Sequence, residues 1–285
     1  MKLGVVMDPI ESINFKKDST LAMMLEAQSR KHQLFYMTPD SLYINEKGAF
    51  AIAKTLQVKN DPTGWFDFKE EKQIKLSELD VILMRQDPPF NSNYIYNTYV
   101  LESAEKEGVL VVNKPSSLRD CNEKVFATEF PECCTPFLVT SDPNLLKSFI
   151  EDHGDTVIKP LDGMGGSSIF RLRYSDPNLN VILETITESF TTKVMIQTYI
   201  PEITDGDKRI LLINGNPMDA AVARVPAEGE LRGNLAAGAS AVARSLTEKD
   251  LWICEQVGPK LKDLGLVLVG LDIIGDYLTE INVTS

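Results

Sequence analysis

The sequence predicts an α/β chain whose first third builds a mainly parallel sheet, followed by two further lobes around a cleft. Three observations carry this reading. Short apolar strands alternate with amphipathic helical stretches over residues 3–112, the order that builds parallel sheets. The chain has 285 residues, too many for one small domain and enough for two or three. Apolar residues make up 43% and charged residues 25%, the balance of a soluble globular protein.

The elements follow in order. Residues 3–7 read as a buried strand that Asp8 ends, too short for a targeting signal. Asp18 and Ser19 cap an amphipathic stretch reaching Arg30, with Leu21, Met24, Leu25 and Gln28 at helical spacing. Residues 34–37 form a strand, 42–58 a hairpin turning near Gly48, and 80–84 a strong buried strand. A helix over 94–107 ends at Gly108, and 109–112 is another strand. In such a sheet ligands gather at the strands' carboxyl ends, where Asp8-Pro9 and Arg85-Gln86-Asp87-Pro88-Pro89 stand. These elements define an N-terminal domain over 1–120.

A central lobe over 121–200 reads as helix 122–128, strand 137–140, helix 143–153, strand 156–160, a glycine-rich turn, strand 169–173, helix 180–187 and strand 194–200. The C-terminal lobe, 201–285, has strands 208–213 and 219–225, a small-residue segment 226–243, a helix 248–264 and a closing hairpin 266–284. There is no internal repeat and no low-complexity linker.

Charge and cysteine usage exclude several function classes. Lys plus Arg is 29 against 41 Asp plus Glu, a net charge of −12, which repels nucleic acid and anionic membrane in bulk. An anionic ligand must therefore be held by a local cluster of cations. Cys121, Cys133, Cys134 and Cys254 form no Cys-x-x-Cys pair, and His32 and His153 are the only histidines, which argues against structural zinc. Scattered thiols and the absence of a long apolar span read as a cytoplasmic protein.

Two segments carry chemistry. Asp162-Gly163-Met164-Gly165-Gly166-Ser167-Ser168 lets backbone amides crowd round an anion, although a plain glycine turn would look the same. It lacks a Walker ending and leads into a strand, so it reads as a flap between antiparallel strands. Lys159 lies on the strand before it, and a lysine on a buried strand needs an anionic partner. Near the other end, Asp272 interrupts an apolar run, and Glu280 and Asn282 share one strand face. A two-residue Gly275-Asp276 turn pairs Asp272 with Thr279; a three-residue loop, 275–277, pairs it with Glu280. Burial of Leu271, Ile273, Ile281 and Val283 favours the second register. Two carboxylates and an amide on one face are hard oxygen donors that suit Mg²⁺ with nucleotide phosphates. Arg209 and Arg224 sit in or at the ends of strands, and 226–243 has the length of a lid carrying Arg232 and Asn234.

The segments Asp120-Cys121-Asn122-Glu123-Lys124, Lys159-Pro160-Leu161-Asp162-Gly163-Met164-Gly165-Gly166, Asp205-Gly206-Asp207-Lys208-Arg209, Arg232-Gly233-Asn234-Leu235-Ala236-Ala237-Gly238 and Thr279-Glu280-Ile281-Asn282-Val283-Thr284-Ser285 resemble the prokaryotic glutathione synthetases. With Met84-Arg85-Gln86-Asp87-Pro88-Pro89-Phe90, the resemblance runs in order through the whole chain. It implies an ATP-grasp fold with ATP clamped between the central and C-terminal lobes. It also implies Lys124, Lys159 and the flap residues Gly163, Met164, Gly165, Gly166 and Ser167 at the phosphates, with Gln197, Tyr199, Ile200 and Asp207 completing the ATP site. By the same resemblance Asp272, Glu280 and Asn282 hold Mg²⁺, with Mn²⁺ a possible substitute. Arg209, Arg224 and Arg232 are the catalytic cations, Arg209 facing the transferred phosphoryl group. Arg85 and Asn234, with Arg224 and Arg232, serve the peptide. The implied substrates are γ-glutamylcysteine, glycine and ATP, and the implied assembly is a homo-oligomer, a tetramer. Members of the family continue beyond Asn-Val-Thr-Ser into a further helix, where this sequence stops. The Cys133-Cys134 pair has no counterpart in that pattern and no role here.

The chemistry so implied is phosphorylation of the cysteinyl carboxylate by ATP, then attack of the glycine amine on the acyl phosphate. It needs charge neutralisation, alignment and exclusion of water more than a protein nucleophile. The alternatives are another ATP-grasp ligase, of the D-alanine–D-alanine or glutamate-adding kind, and a non-catalytic nucleotide-binding regulator.

Overall fold

The strand–helix alternation of the first third folds as a mixed sheet. The computed structural model describes residues 1–163, 165–227, 233 and 238–284. It divides into two units: Met1–Asp120 with Leu264–Leu266 and Thr284–Ser285, and Cys121–Asp263 with Val267–Val283.

In the first unit, β1 (Lys2–Met7) is buried along almost its whole length, as a central parallel strand must be. Helix α1 (Ser19–Ser29) starts where Asp18 accepts a bond from the Leu21 amide at 2.6 Å. Strands β2 (Gln33–Met37), β3 (Leu42–Asn45), β4 (Gly48–Val58), β5 (Phe66–Lys75) and β6 (Val81–Arg85) follow. Helix α2 (Ser92–Lys106), capped by Asn91, strand β7 (Leu110–Val112) and helix α3 (Pro115–Asp120) complete the unit. The sheet order is β3-β4-β2-β1-β6-β7, with β5 on β4. Strands β2, β1, β6 and β7 are parallel, whereas β3, β4 and β5 pair antiparallel. The sequence reading has no strand at β5. Its middle, Lys69-Glu70-Glu71-Lys72, is charged and exposed, so the strand lacks an apolar period to reveal it.

The second unit holds two antiparallel sheets. Strands β8 (Phe137–Thr140), β9 (Asp155–Pro160), β10 (Phe170–Arg173) and β11 (Val194–Thr198) form one, in the order β10-β9-β11-β8. Helices α4 (Pro143–His153) and α5 (Leu179–Ile186) contribute Leu146, Ile150 and Leu183 to a core with Ile158 and Ile196. The other face of that sheet carries Lys159, Met195 and Gln197. Strands β12 (Asp207–Ile213), β13 (Asn216–Val225) and β14 (Ser240–Ser245), helix α6 (Glu248–Asp263), β15 (Leu268–Ile274) and β16 (Tyr277–Asn282) form the rest, with sheet order β14-β13-β12-β15-β16. One face of that sheet buries Ile210, Leu212, Ala223, Leu271, Ile273 and Ile281.

Two expectations are corrected. The helix expected over 122–128 is a turn followed by a short 3-10 helix, Phe126–Glu129, because Asn122 Oδ1 accepts from the amides of Lys124 and Val125 and diverts the chain. The long segment expected over 226–243 gives way to strand β14 at Ser240. Residues 228–232 and 234–237 of that segment lie outside the described residues.

Gly258 of α6 meets the backbone of Gly215, in the turn between β12 and β13, so closely that a Cβ would collide with the Gly215 carbonyl oxygen. Gly258→Ala should therefore cost about 1–3 kcal/mol, seen as a lowered Tm. Gly64→Ala, where a Cβ meets nothing within 4 Å, should leave Tm nearly unchanged.

Candidate active site

Residues directly opposite one another in an antiparallel pair share a face. In the five-stranded sheet Asp207 stands opposite Arg224, Arg209 opposite Asp272, Asp272 opposite Glu280, and Gly270 opposite Asn282. One face thus gathers Asp207, Arg209, Arg224, Asp272, Glu280 and Asn282. The apolar residues between them go to the other face, with Lys208 bonded there to the fully buried Asp250 of α6 at 2.5 Å.

The hairpin reaches this pairing by a route different from the one expected. Its turn is the two-residue Gly275-Asp276, with Ile274 opposite Tyr277 and Ile273 opposite Leu278. The register then shifts, and Asp272 pairs with Glu280. Thr279 is the extra residue of a β-bulge, which supplies the offset that a three-residue loop would have given.

Asp272 is almost fully buried and doubly gripped. Arg209 donates from Nε to Oδ1 at 2.5 Å and from Nη2 to Oδ2 at 2.6 Å, and Arg224 Nη2 lies 2.8 Å from Oδ2. Burial opposes the Asp272 charge, but Arg209 and then Arg224 outweigh it and hold its pKa below the usual carboxylate value. Arg224 also donates to Asp207, whose pKa burial, and then repulsion from Asp272, push up to about 7. Asp207 Oδ1 and Arg224 Nε are buried without a hydrogen-bond partner among the described residues.

A second charge cluster abuts the first through Glu280. Lys124 Nζ lies 3.5 Å and Lys159 Nζ 3.7 Å from Glu280 Oε1. Lys124 also donates to Glu123 and, at 2.8 Å, to the Gly163 carbonyl. Lys159 donates to the Thr279 carbonyl at 3.3 Å. The two lysines are only 2% and 4% exposed. Burial lowers the Lys159 pKa. Burial opposes the Lys124 charge too, yet Glu280 and Glu123 outweigh it and raise the pKa. Glu123 is raised by burial and then by Glu280. The Glu123 carbonyl accepts from the Ile281 amide at 2.8 Å, so the turn carrying Lys124 is fastened to β16. The sequence assigns Glu123 no role, and its only signal there is its place beside Lys124.

The glycine-rich loop joins β9 to β10, which are antiparallel, as expected of a flap. Gly165, Gly166 and Ser168 have positive φ, Ser167 is exposed, and Asn122 Nδ2 donates to the Leu161 carbonyl at 2.9 Å. Gln197 is buried on the face that carries Lys159. Tyr199 receives the Arg171 guanidinium over its ring, 3.6 Å from the centroid, and its amide donates to the Asp155 carbonyl at 3.0 Å. Ile200 is buried at the head of a 3-10 turn, Pro201–Asp205. Arg85 belongs to the first unit, where it donates to Thr20 and Ser19 of α1, both at 3.1 Å. Met164, Arg232 and Asn234 lie outside the described residues.

Asp272, Glu280 and Asn282 present oxygen donors on one sheet face; Asn282 donates its amide to the Gly270 carbonyl at 3.3 Å, leaving its oxygen to accept. No group of three His, Cys, Asp or Glu able to hold a metal occurs among the described residues. That donor set fits Mg²⁺, which takes one or two protein carboxylates and completes its shell with phosphates and water.

Comparison with known proteins agrees over the whole chain. The family model described as prokaryotic glutathione synthetase, N-terminal domain, matches residues 1–119, and that described as prokaryotic glutathione synthetase, ATP-grasp domain, matches 123–285. The chain is 60% identical over 285 residues to a glutathione synthetase of Pseudomonas putida and 56% identical to one of Vibrio parahaemolyticus, covering 100% of this chain and 90% of each relative. Among solved structures it resembles D-cycloserine synthetase DcsG, with TM-score 0.67 and 13% identity over 99% of this chain and 92% of that one. It also resembles ATP-grasp ligase PsnB with its minimal precursor, with TM-score 0.63 and 19% identity over 100% and 91% of the two chains. The last two likenesses establish the ATP-grasp fold. Among the described residues no helix is long and apolar enough to cross a membrane.

Asp155 accepts from Arg171 at 2.8 and 2.5 Å and from Arg173 at 2.8 Å, and the Arg171 bond, set against partial burial, lowers its pKa to about 2. A depressed carboxylate stabilises the fold above its unfolded pKa and loses that contribution as pH falls through the folded one. Asp155→Asn should therefore cost about 1 kcal/mol from pH 7 to 5. In urea titrations the gap from wild type should shrink from pH 4 towards about 2.

Proposed function

The chain belongs to the prokaryotic glutathione synthetases, and from that membership we propose that it joins γ-L-glutamyl-L-cysteine to glycine, with ATP becoming ADP and phosphate. The observation that carries this reading beyond membership is the meeting of two charge clusters at Glu280. Lys124 and Lys159 approach it from the four-stranded side, and Asp272, bound by Arg209 and Arg224, stands opposite it. Identities of 60% and 56% along the full length favour glutathione formation over the other ATP-grasp ligations, represented here by likenesses of 13–19%.

In this proposal Lys124 and Lys159 exchange part of their contact with Glu280 for the nucleotide phosphates. The flap residues 163–167 offer backbone amides to the same groups. Gln197, Tyr199 and Ile200 edge the adenine pocket, and Asp207 completes the ATP site. Asp272, Glu280 and Asn282 would hold Mg²⁺, which would supply neutralisation of the phosphate charge. Arg209, kept in place by Asp272, faces the transferred phosphoryl group and stabilises the charge it develops. Arg224, Arg232, Asn234 and Arg85 orient γ-glutamylcysteine, so that its cysteinyl carboxylate is phosphorylated and the glycine amine then displaces phosphate. The segment around Arg232 keeps water from the acyl phosphate. Further parts of the reading are division of the second unit into a central lobe, 121–200, and a C-terminal lobe, 201–285, a cytoplasmic location and a homotetramer. No nucleic acid or membrane partner belongs to it, as the net charge of −12 suggests.

Phosphate release from Mg·ATP, measured with each acceptor pair in turn, tests the assignment. Release that depends on γ-glutamylcysteine and glycine together is expected; release with D-alanine instead would refute it. Glu280→Gln should lower ligation about 10²–10³-fold with the fold intact by circular dichroism. Near-normal turnover at saturating Mg²⁺ would remove the metal assignment. Arg232→Lys keeps the charge but loses the guanidinium's two-pronged grip on a carboxylate. It should raise KM for γ-glutamylcysteine and lower kcat while leaving the Kd for Mg·ATP unchanged; the reverse pattern would assign Arg232 to the nucleotide.

A further inference from the structure

Thr279 is buried at the bulge of the closing hairpin. It is the residue that β16 inserts between Leu278, opposite Ile273, and Glu280, opposite Asp272. Side chains alternate along a strand, so without this insertion Thr279 would pair with Asp272 and Glu280 would turn to the other face. That other face is apolar, with Leu271, Ile273 and Ile281 buried on it. Bulges beside functional sites re-aim side chains, and contacts of the bulged residue can hold that aim. Here the Thr279 hydroxyl donates to the Asp272 backbone carbonyl at 3.0 Å, a bond buried at both ends. The Thr279 carbonyl, displaced by the bulge, accepts from Lys159 Nζ at 3.3 Å. One residue therefore touches the backbone of Asp272, precedes Glu280 and receives the ammonium of Lys159.

We propose that Thr279 is a positioning residue for ligation: its hydroxyl pins the bulge that sets Glu280 opposite Asp272, and its carbonyl fixes Lys159 beside them. The inference rests on the proposed function, because it takes Asp272 and Glu280 as the metal carboxylates and Lys159 as a phosphate contact. Thr279 itself acts only through these three. Groups that orient metal-binding side chains typically contribute 10–100-fold to metal affinity.

The test compares Thr279→Val, which keeps the shape and removes the hydroxyl, with Thr279→Ser, which keeps the hydroxyl. ADP binding is measured by calorimetry with Mg²⁺ and with EDTA, beside steady-state kinetics. In Thr279→Val the gain in ADP affinity conferred by Mg²⁺ should fall about 10-fold or more. kcat should fall with it, KM for γ-glutamylcysteine and glycine should stay within about twofold, and metal-free ADP binding should change little, because the carbonyl that receives Lys159 remains. Thr279→Ser should restore both the Mg²⁺ gain and kcat to within about threefold of wild type. An unchanged Mg²⁺ gain in a folded Thr279→Val, or a Thr279→Ser as impaired as Thr279→Val, overturns the proposal. Should Thr279→Val fail to fold, Thr279→Ala carries the same expectations, and Thr279→Ser alone still refutes the proposal if its Mg²⁺ gain is lost. Failure of the underlying reading looks different: wild type would then release no phosphate with γ-glutamylcysteine and glycine, or would gain no ADP affinity from Mg²⁺.

Discussion

A charge taken out of water must be answered at hydrogen-bonding distance, and the second unit is built around that demand. Asp272 is buried on β15, between β12 and the edge strand β16, where an unpaired carboxylate would cost several kcal/mol. It is stable there because Arg209, directly opposite it on β12, delivers two parallel bonds, and Arg224, one strand further on, adds a third contact. Arg224 in turn engages Asp207, and each neighbour on that face has a charged reason to be where it is. The pairing of β12 with β13 and β15 is thus fixed twice, by apolar side chains on one face and by ion pairs on the other. A slip of one residue would bury every one of these charges among isoleucines and leucines.

The same demand links the two sheets of this unit. Lys159 is on β9 and Lys124 on a turn before β8, yet both approach Glu280 of β16. Lys159 of the four-stranded sheet finds its partners, Glu280 and the Thr279 carbonyl, on β16 of the other sheet. The carboxylate that the two lysines share stands opposite Asp272, so the second unit holds an organised set of opposite charges on adjoining elements, where the proposed function places the nucleotide. Such preorganisation is what phosphoryl transfer asks of a protein, since little reorganisation is left to do when charge develops.

Much of this was legible in the sequence, and the reasons for what was not are local. Asp272 stood out because it interrupts an apolar run, and Glu280 and Asn282 followed from the two-residue period of a strand. The register of the hairpin followed from burial, but not the means: a β-bulge at Thr279 and a three-residue loop give the same pairing, and only backbone geometry separates them. Strand β5 escaped notice because an exposed outer strand rich in lysine and glutamate carries no apolar period. The turn at Asn122 was read as a helix because the Asn-Glu-Lys order suits a helix start equally well, while the side-chain bonds of Asn122 to two successive amides decide for a turn. Contacts between residues far apart, such as Arg171 over Tyr199 or Glu123 against Lys124 and β16, have no spacing rule to announce them.

The balance of charge in the site also explains how a protein of net charge −12 can receive anionic substrates. Lys124, Lys159, Arg209 and Arg224 are met by Glu123, Asp207, Asp272 and Glu280, so the preformed clusters are close to neutral. A neutral cluster avoids the self-repulsion that four unpaired cations would impose on the empty fold, and it does not need the overall charge to be positive. It is, however, too balanced to neutralise a nucleotide triphosphate and a peptide carboxylate by itself. Each lysine or arginine that turns to a phosphate leaves a carboxylate behind, and the negative charge left at Asp272 and Glu280 is then unanswered. In the proposed reading Asp272, Glu280 and Asn282 would hold a divalent cation, which would answer the carboxylate charge that the lysines and arginines release. Under the proposed function, a metal would be needed because the charge clusters are balanced before the nucleotide binds.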